Sequence, residues 1–463
     1  MNLKPLNQLF FFPKKLIENT SFLSLGIFLS FLKSILTIRY AGSVNFGIYQ
    51  YIFSLVLGTQ LFSSAWDWVI LRFYNQNDTQ KKYIFWGCLH LRFGYALLAC
   101  LSFFCYFFIL KIESYALYPL TAAAITLQII MGLLRSHMEN ILSAEREYFT
   151  INMLSTASLV MLLITLILGH FFFKIEGLDF IIFLSLATTL LDLFFLILII
   201  RKYFSKIKNR SILQYVSLST SLRIGIKPHT KHISPLLLTD ISGYLKNNLP
   251  AVLMGSYGHF EAYAGFHIAR KIFQTFYKII PRILKTMLSQ ITSATKNENF
   301  SKKWNYFTSM YILSQAFAAC LFIVLMKNIY FHIYHVKVIS EIEIVTFHLG
   351  IHLILGAWVQ SGTFKVISSD NTKPVLIAAI FSTLGWIAMS MYYTQHNSIA
   401  ILSSTYWVSF IPTLIIYQWF LLKADKNNIK SILIQLFIVI LSIIAISNTK
   451  YIYIEVIDLP FKL

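Results

Sequence analysis

Charge is what this sequence has least of. Only 13% of its 463 residues are Asp, Glu, Lys or Arg, against roughly 25% in soluble globular chains. That excludes a string of soluble domains, the reading that length alone would suggest. Acidic residues are scarcest: 19 Asp and Glu face 39 Lys and Arg, for a formal net charge of +20. In a soluble protein such an excess suggests nucleic-acid binding. In a chain that is 57% hydrophobic it reads first as membrane topology, and no nucleic-acid partner is expected. Cysteine is nearly missing, and Cys88, Cys100, Cys105 and Cys320 all fall in apolar stretches. They are expected to pack as small hydrophobes, so a disulfide framework and a cysteine metal site are both excluded. No G-x-x-x-x-G-K-[ST] loop occurs, so the chain is not expected to hydrolyse ATP. His348 and His352 are spaced i, i+4, with His332 and His335 close by, but no Cys or carboxylate cluster accompanies them and no metal is expected.

What the sequence has in abundance is apolar runs. About 20 such residues cross the roughly 30 Å hydrocarbon core as a helix, which satisfies its own backbone hydrogen bonds. Spans are expected at 16–38, 46–70, 83–110, 115–137, 148–173 and 178–200. A second set is expected at 235–256, 260–292, 304–326, 343–364, 374–393, 398–422 and 431–448. The fold class is therefore an all-α polytopic membrane protein of two six-helix halves. Residues 1–200 form the first bundle, 201–234 a basic cytoplasmic connecting loop, 235–425 the second bundle, and 426–463 an additional helix and tail.

Lysine and arginine set the orientation. With the N-terminus in the cytoplasm, most of the 39 lie in helices or cytoplasmic segments. Only Arg39, Lys111, Lys174, Lys327, Lys337, Lys450 and Lys462 fall outside. The first span reads as an uncleaved signal anchor, because no A-x-A-like site precedes it. The 201–234 connection, with Arg201, Lys202, Lys206, Lys208, Arg210, Arg223, Lys227 and Lys231, is expected to face anionic lipid. A weak repeat relates the halves. The stretch from Gly42 to Tyr49 resembles that from Gly255 to Tyr263, each following the first helix of its half.

Ionisable groups inside spans are costly and usually face a cavity or a partner. The basic ones are Lys33, Arg92, Lys246, Arg270, Lys271, Lys278, Arg282 and Lys285; the acidic ones are Asp67, Asp192, Asp240 and Glu261. The acids cannot neutralise the bases, whereas an anionic guest can. At about 100° per residue, Lys271, Lys278, Arg282 and Lys285 fall within roughly 60° of arc on the eighth helix. Pro281 is able to bend that helix. The competing reading has Arg282 and Lys285 snorkelling to head groups. Asp240, Tyr244 and Asn247 share one face of the seventh helix. Arg92 and Asp192 are expected to be structural.

These residues carry a family resemblance. Arg39-Tyr40-Ala41-Gly42, then Phe46-Gly47-Ile48-Tyr49 and Arg72, resembles the N-terminal signature of Wzx-like oligosaccharide flippases. The run from Tyr263 to Lys271, followed by Pro281, is similar to their eighth helix. That family belongs to the multidrug/oligosaccharidyl-lipid/polysaccharide exporter superfamily. The resemblance implies two pseudo-symmetric bundles around a central cavity lined by helices 1, 2, 7 and 8. It also implies an undecaprenyl-pyrophosphate-linked oligosaccharide as cargo, moved by alternating access for surface polysaccharide such as O-antigen. The setting it implies is the bacterial inner membrane, with membrane lipids, a polysaccharide polymerase and glycosyltransferases as partners. Two departures stand out: Gly42-Ser43 where the family commonly has Gly-Pro, and Asp67 where such helices are usually apolar.

The expected substrate-binding residues are Lys33, Arg270, Lys271, Lys278 and Arg282, which would attract phosphate or acidic sugar. Asp67, Asp240 and Asn247 are expected as cavity polar groups or as sites of H⁺ or Na⁺ coupling, with no other cofactor. The alternative for Asp240 is simple pairing with Lys246 or Asn247. Two rival functions are a membrane glycan polymerase or ligase and a cation-coupled multidrug exporter. Short external loops argue against the first and the basic excess against the second.

Overall fold

The computed structural model describes residues 14–58, 66–67, 69–70, 73–74, 78–109, 118–145, 147–206, 214–286, 300–328, 340–368, 373–396, 398–424 and 428–456. Among these residues the chain is helical throughout, with no strand. It divides into two units, Met1–Ser234 and Pro235–Leu463.

The first unit contains α1 (Lys14–Ala41), α2 (Ser43–Gly58), α3 (Asp78–Ile109), α4 (Tyr118–Ala144), α5 (Tyr148–Phe173) and α6 (Gly177–Lys206). α4 packs on α6, α1 on α5, and α3 on α4. Polar side chains lock these contacts. Arg135 on α4 donates to Asp192 on α6 at 2.6 Å and to Ser158 on α5 at 3.0 Å. Thr156 on α5 donates to the Phe22 carbonyl on α1 at 3.1 Å. Arg135 lies within the expected span 115–137 but was not among the charges expected inside spans; it is only 8% exposed. α4 also runs on past the expected end at 137, to Ala144.

The connection after α6 also differs from a plain loop. A helical turn at Leu218–Ser221 passes through a π turn at Leu222–Ile226 and a 3₁₀ turn at Lys227–His229, and the first two of these pack on α3. Gly225 makes this approach feasible, since a Cβ there would come within 2.3 Å of the Tyr83 carbonyl oxygen.

The second unit contains the main part of α7 (Thr230–Ser256), then α8 (Phe260–Thr286), α9 (Phe300–Asn328), α10 (Ser340–Ser368), α11 (Lys373–His396), α12 (Ile399–Val408), α13 (Phe410–Ala424) and α14 (Asn428–Val456). α10 is its hub. In its apolar window 83% of residues are buried, against 22% in α11 and α14, and it touches α8, α9, α12, α13 and α14. The expected span 398–422 is present as one apolar segment, Ile401–Lys423, with a single irregular residue, Ser409, between α12 and α13. Pro412 accounts for the irregularity, because it has no N–H for the Val408 carbonyl one turn earlier. α14, expected as an added helix, packs on α9 and α10.

The two halves share a turn. α1 meets α2, and α7 meets α8, through glycines in the left-handed region, Gly42 at φ 83° and Gly258 at φ 75°. A residue with a Cβ pays a steric cost there. The shared conformation therefore falls on Gly42 and Gly258 rather than on Gly42 and Gly255, as the repeat was aligned.

Among the described residues nine helical segments are long and apolar enough to cross a membrane. Their outward faces carry large exposed apolar side chains, such as Phe171, Phe172, Leu190, Phe317 and Ile415. A water-soluble chain does not tolerate so much exposed apolar surface, and lipid is its natural neighbour.

Candidate functional site

α7, α8 and α12 converge on a backbone defect. Pro250 lies in the interior of α7 and brings no N–H, which deprives the Lys246 carbonyl of its helical donor. A buried carbonyl left without a partner is costly, and the side chains of the second unit supply replacements. Tyr406 on α12 donates its hydroxyl to the Lys246 carbonyl at 2.7 Å. Arg270 on α8 donates to the neighbouring Asn247 carbonyl at 2.5 Å and to the Tyr406 hydroxyl at 3.1 Å. Arg270 is only 8% exposed. Its hydrogen-bond partners among the described residues are neutral, so a full positive charge is held inside the helix packing.

An aromatic box continues from this clamp. The Lys246 ammonium lies 3.6 Å from the centre of the Phe410 ring and 5.5 Å from that of Tyr277, a cation–π arrangement. His352 stacks on Phe410 with ring centres 4.7 Å apart, and its Nδ1 lies 3.1 Å from the Tyr406 carbonyl. Trp386 meets Tyr406 edge-on at 5.0 Å. Two cations, Lys246 and Arg270, thus occupy one side-chain cluster that contains no described carboxylate.

The acidic groups of the first unit are arranged in the opposite way. Asp67 is paired with Arg92, which is almost fully buried and also donates to the Leu133 carbonyl at 2.7 Å. Asp192 is held by Arg135, which grips Glu139 as well at 2.8 Å. Arg92 and Asp192 are therefore both in structural ion pairs, each with its own partner. Lys33, half-buried on α1, lies within electrostatic reach of Asp192.

The remaining expected residues lie on α7 and α8. Asn247 donates its side-chain amide to the Gly243 carbonyl at 2.7 Å while its own carbonyl receives Arg270. Lys271 is half-buried on α8. α8 is helical from Phe260 through Thr286, so its backbone carries Lys271, Lys278 and Arg282 in the stripe register, and it is the most two-faced of the helices. The side chains of Asp240, Lys278 and Arg282 lie outside the described residues, as do His332 and His335. His348 receives the Trp407 indole N–H at 3.0 Å.

Sequence reading missed Tyr406, Phe410 and Tyr277; it named His352 only as a metal-ligand candidate that it set aside, and Lys246 only as a span charge and an alternative partner of Asp240. One signal was available. Pro250 stands four residues after Lys246, so a free carbonyl was foreseeable, although its donor 160 residues away was not.

No protein family and no curated protein matches the chain by sequence. Solved structures do match it. The inward-closed form of the lipid II flippase MurJ is similar with a TM-score of 0.63 and 17% identity, covering 93% of this chain and 98% of that one. The outward-facing form of a multidrug resistance MATE transporter of the MOP superfamily is similar at TM-score 0.58 and 13% identity, covering 94% and 96%. An inward-facing form of such a transporter gives 0.57 and 14% over the same shares. The chain therefore has the fold of the MOP-superfamily transporters, a multi-pass membrane class. Its likeness extends over nearly the full length of both a lipid flippase and multidrug transporters of that fold.

Proposed function

We propose that this protein is a flippase that moves an undecaprenyl-pyrophosphate-linked oligosaccharide across the bacterial cytoplasmic membrane by alternating access, for surface polysaccharide biosynthesis. The observation that carries the proposal is the cationic character of α7 and α8. Lys246 and Arg270 share a cluster without a described carboxylate, and α8 carries Lys271, Lys278 and Arg282 in one register. The physical task is to take a pyrophosphate and hydroxyl-rich sugars past hydrocarbon, where a bare charge costs on the order of tens of kcal/mol. A hydrated path lined with fixed cations lowers that cost while the polyprenyl tail stays in lipid. In this reading Lys33, Lys271, Lys278 and Arg282 attract the head group. Arg270 adds to the same field while holding the α7 defect. The lipid II flippase likeness supports a lipid-linked cargo. Asp240, together with Asn247, is the candidate for ion coupling. Asp67 is already engaged by Arg92, which makes it the weaker coupling candidate.

The multidrug reading draws on the MATE neighbours. It is less well supported, because a cationic drug calls for available carboxylates, whereas bases outnumber acids inside the spans and two of the four acids, Asp67 and Asp192, are ion-paired.

The test is the Lys278→Gln, Arg282→Gln double variant in the native host. Lipid-linked intermediate should accumulate on the inner leaflet and surface polysaccharide should disappear at normal protein level. Lys278→Arg should be mild. Normal surface polysaccharide in the double variant would mean that these charges only reach toward head groups.

A further inference from the structure

At one end of the second unit α9, α10, α13 and α14 enclose a small cleft, lined by Trp304, Asn305, Trp358, Lys365, Asn428 and Gln435 among others. The N-terminal ends of α9 and α14 meet the C-terminal ends of α10 and α13 there. The Lys365 ammonium donates to Ser301 at 3.3 Å and to the Asn305 side-chain oxygen at 3.4 Å. Asn428 accepts from Ser301 at 3.1 Å and donates to the Leu421 carbonyl at 3.3 Å. The Trp358 indole N–H is held by Gln435 at 2.8 Å. These contacts join all four helices, so the cleft is a built feature and not a gap in packing.

Among the described residues its charge has one sign, while Glu298, Asp370 and Asp425, next to these helix ends in sequence, lie outside the described residues. Around Lys365, the exposed Lys302 and Lys303 stand at the start of α9, Lys423 at the end of α13 and Lys430 at the start of α14. No acidic residue occurs on α9 or α13, and α10 and α14 carry theirs, Glu341, Glu343 and Glu455, at their opposite ends. The lysine distribution assigns this end to the cytoplasmic side. Away from the cleft, the outward faces of α13 and α14 are apolar and exposed through Ile415, Trp419, Leu433 and Phe437. A polar, cationic head site therefore sits beside two greasy walls.

We propose that this cleft binds the phosphate head group of an anionic phospholipid, with its acyl chains lying along α13 and α14. Lys365 supplies a charge-assisted hydrogen bond to the phosphate. The amides of Asn305, Asn428 and Gln435 suit the glycerol hydroxyls, and the rim lysines add field. Basic pockets between membrane helices on the cytoplasmic side are known to suit such head groups. The site lies on other helices than the α8 stripe, so it does not depend on the cargo proposed above.

The experiment is native mass spectrometry of the purified protein with phosphatidylglycerol and phosphatidylcholine of identical chains added to the detergent. Wild type should retain phosphatidylglycerol about fivefold over phosphatidylcholine, and Lys365→Gln should lower that retention about tenfold, the scale of one lost charge-assisted contact. Lys365→Arg should keep most of it, and Lys302→Gln on the rim should change it by about twofold or less. Equal retention of the two lipids by wild type overturns the proposal, and so does undiminished retention in Lys365→Gln. Glycerol 3-phosphate displacing the lipid at equal concentration would mean a free-anion site and overturns it too. The wild-type comparison needs no variant and decides the question even where Lys365→Gln lowers the yield.

Discussion

Replacing Tyr406 by Phe tests the clamp on α7 with a change of a single oxygen. The hydroxyl donates to the Lys246 carbonyl at 2.7 Å and accepts from Arg270 at 3.1 Å. Its loss leaves a buried carbonyl unpaired and takes one acceptor from a buried guanidinium, at a cost of about 1–3 kcal/mol for the unsatisfied group. For a unit of this size about 1 kcal/mol corresponds to roughly 2–4 °C in melting temperature. Tyr406→Phe should therefore melt several degrees below wild type in detergent. The reasoning makes a sharper claim about its cause. Pro250→Ala restores an N–H one turn after Lys246, so the carbonyl regains a helical donor. In that background Tyr406→Phe should cost less than half of what it costs alone. A double-mutant cycle read by thermal unfolding measures the difference. An equal cost in both backgrounds would refute the idea that the hydroxyl repairs a proline defect.

The buried pairs of the first unit make a second prediction. Asp192→Leu leaves Arg135 with Glu139, Ser158 and the Phe195 ring among the described residues, and breaking such a pair costs about 3–5 kcal/mol. Arg135→Leu with Asp192→Leu should recover much of that loss, as judged by melting temperature, and a double variant no better than the single would count against it. A third prediction concerns water. In a background without the native cysteines, single cysteines at Lys33, Asp240 and Lys278 should react with a small water-soluble thiol reagent, while those at Leu163 and Ile438 stay protected. Uniform protection would mean a dry, ion-paired interior.

Much of the fold was legible in the sequence because lipid imposes a simple rule: a crossing segment must be helical and apolar. α5 was placed to the residue, and α1, α9, α10 and α11 to within about a turn at both ends. Helix ends were harder to place than helix interiors. α4 runs on to Ala144, past the expected 137, and Glu139, one turn after Arg135 and bonded to it, was a sign that the helix continued. Pro412 leaves only a one-residue irregularity at Ser409 in a span that hydropathy reads as continuous. The connection 201–234 looked like a loop because its lysines and arginines dominate its composition. Its docking depends instead on Gly225, whose role appears only beside the Tyr83 carbonyl.

The site was legible only in part. Periodicity alone marks the α8 stripe, since residues spaced seven and four apart share a helical face. The Lys246 box was not foreseeable, since Phe410 and His352 reach it from helices far along the chain. Asp67 illustrates the limit of counting charges: the sequence shows an acid inside a span but not that Arg92 already holds it.

Transbilayer movement of cargo by the purified protein tests the central claim most directly. Proteoliposomes containing wild-type protein should carry an undecaprenyl-pyrophosphate-linked oligosaccharide from one leaflet to the other, as followed by its accessibility to a glycosidase confined to one side. The Lys278→Gln, Arg282→Gln variant should lose that movement, and a cationic dye should not be moved by either. Transport of the cationic dye without movement of the lipid-linked sugar would contradict the account and favour the multidrug reading.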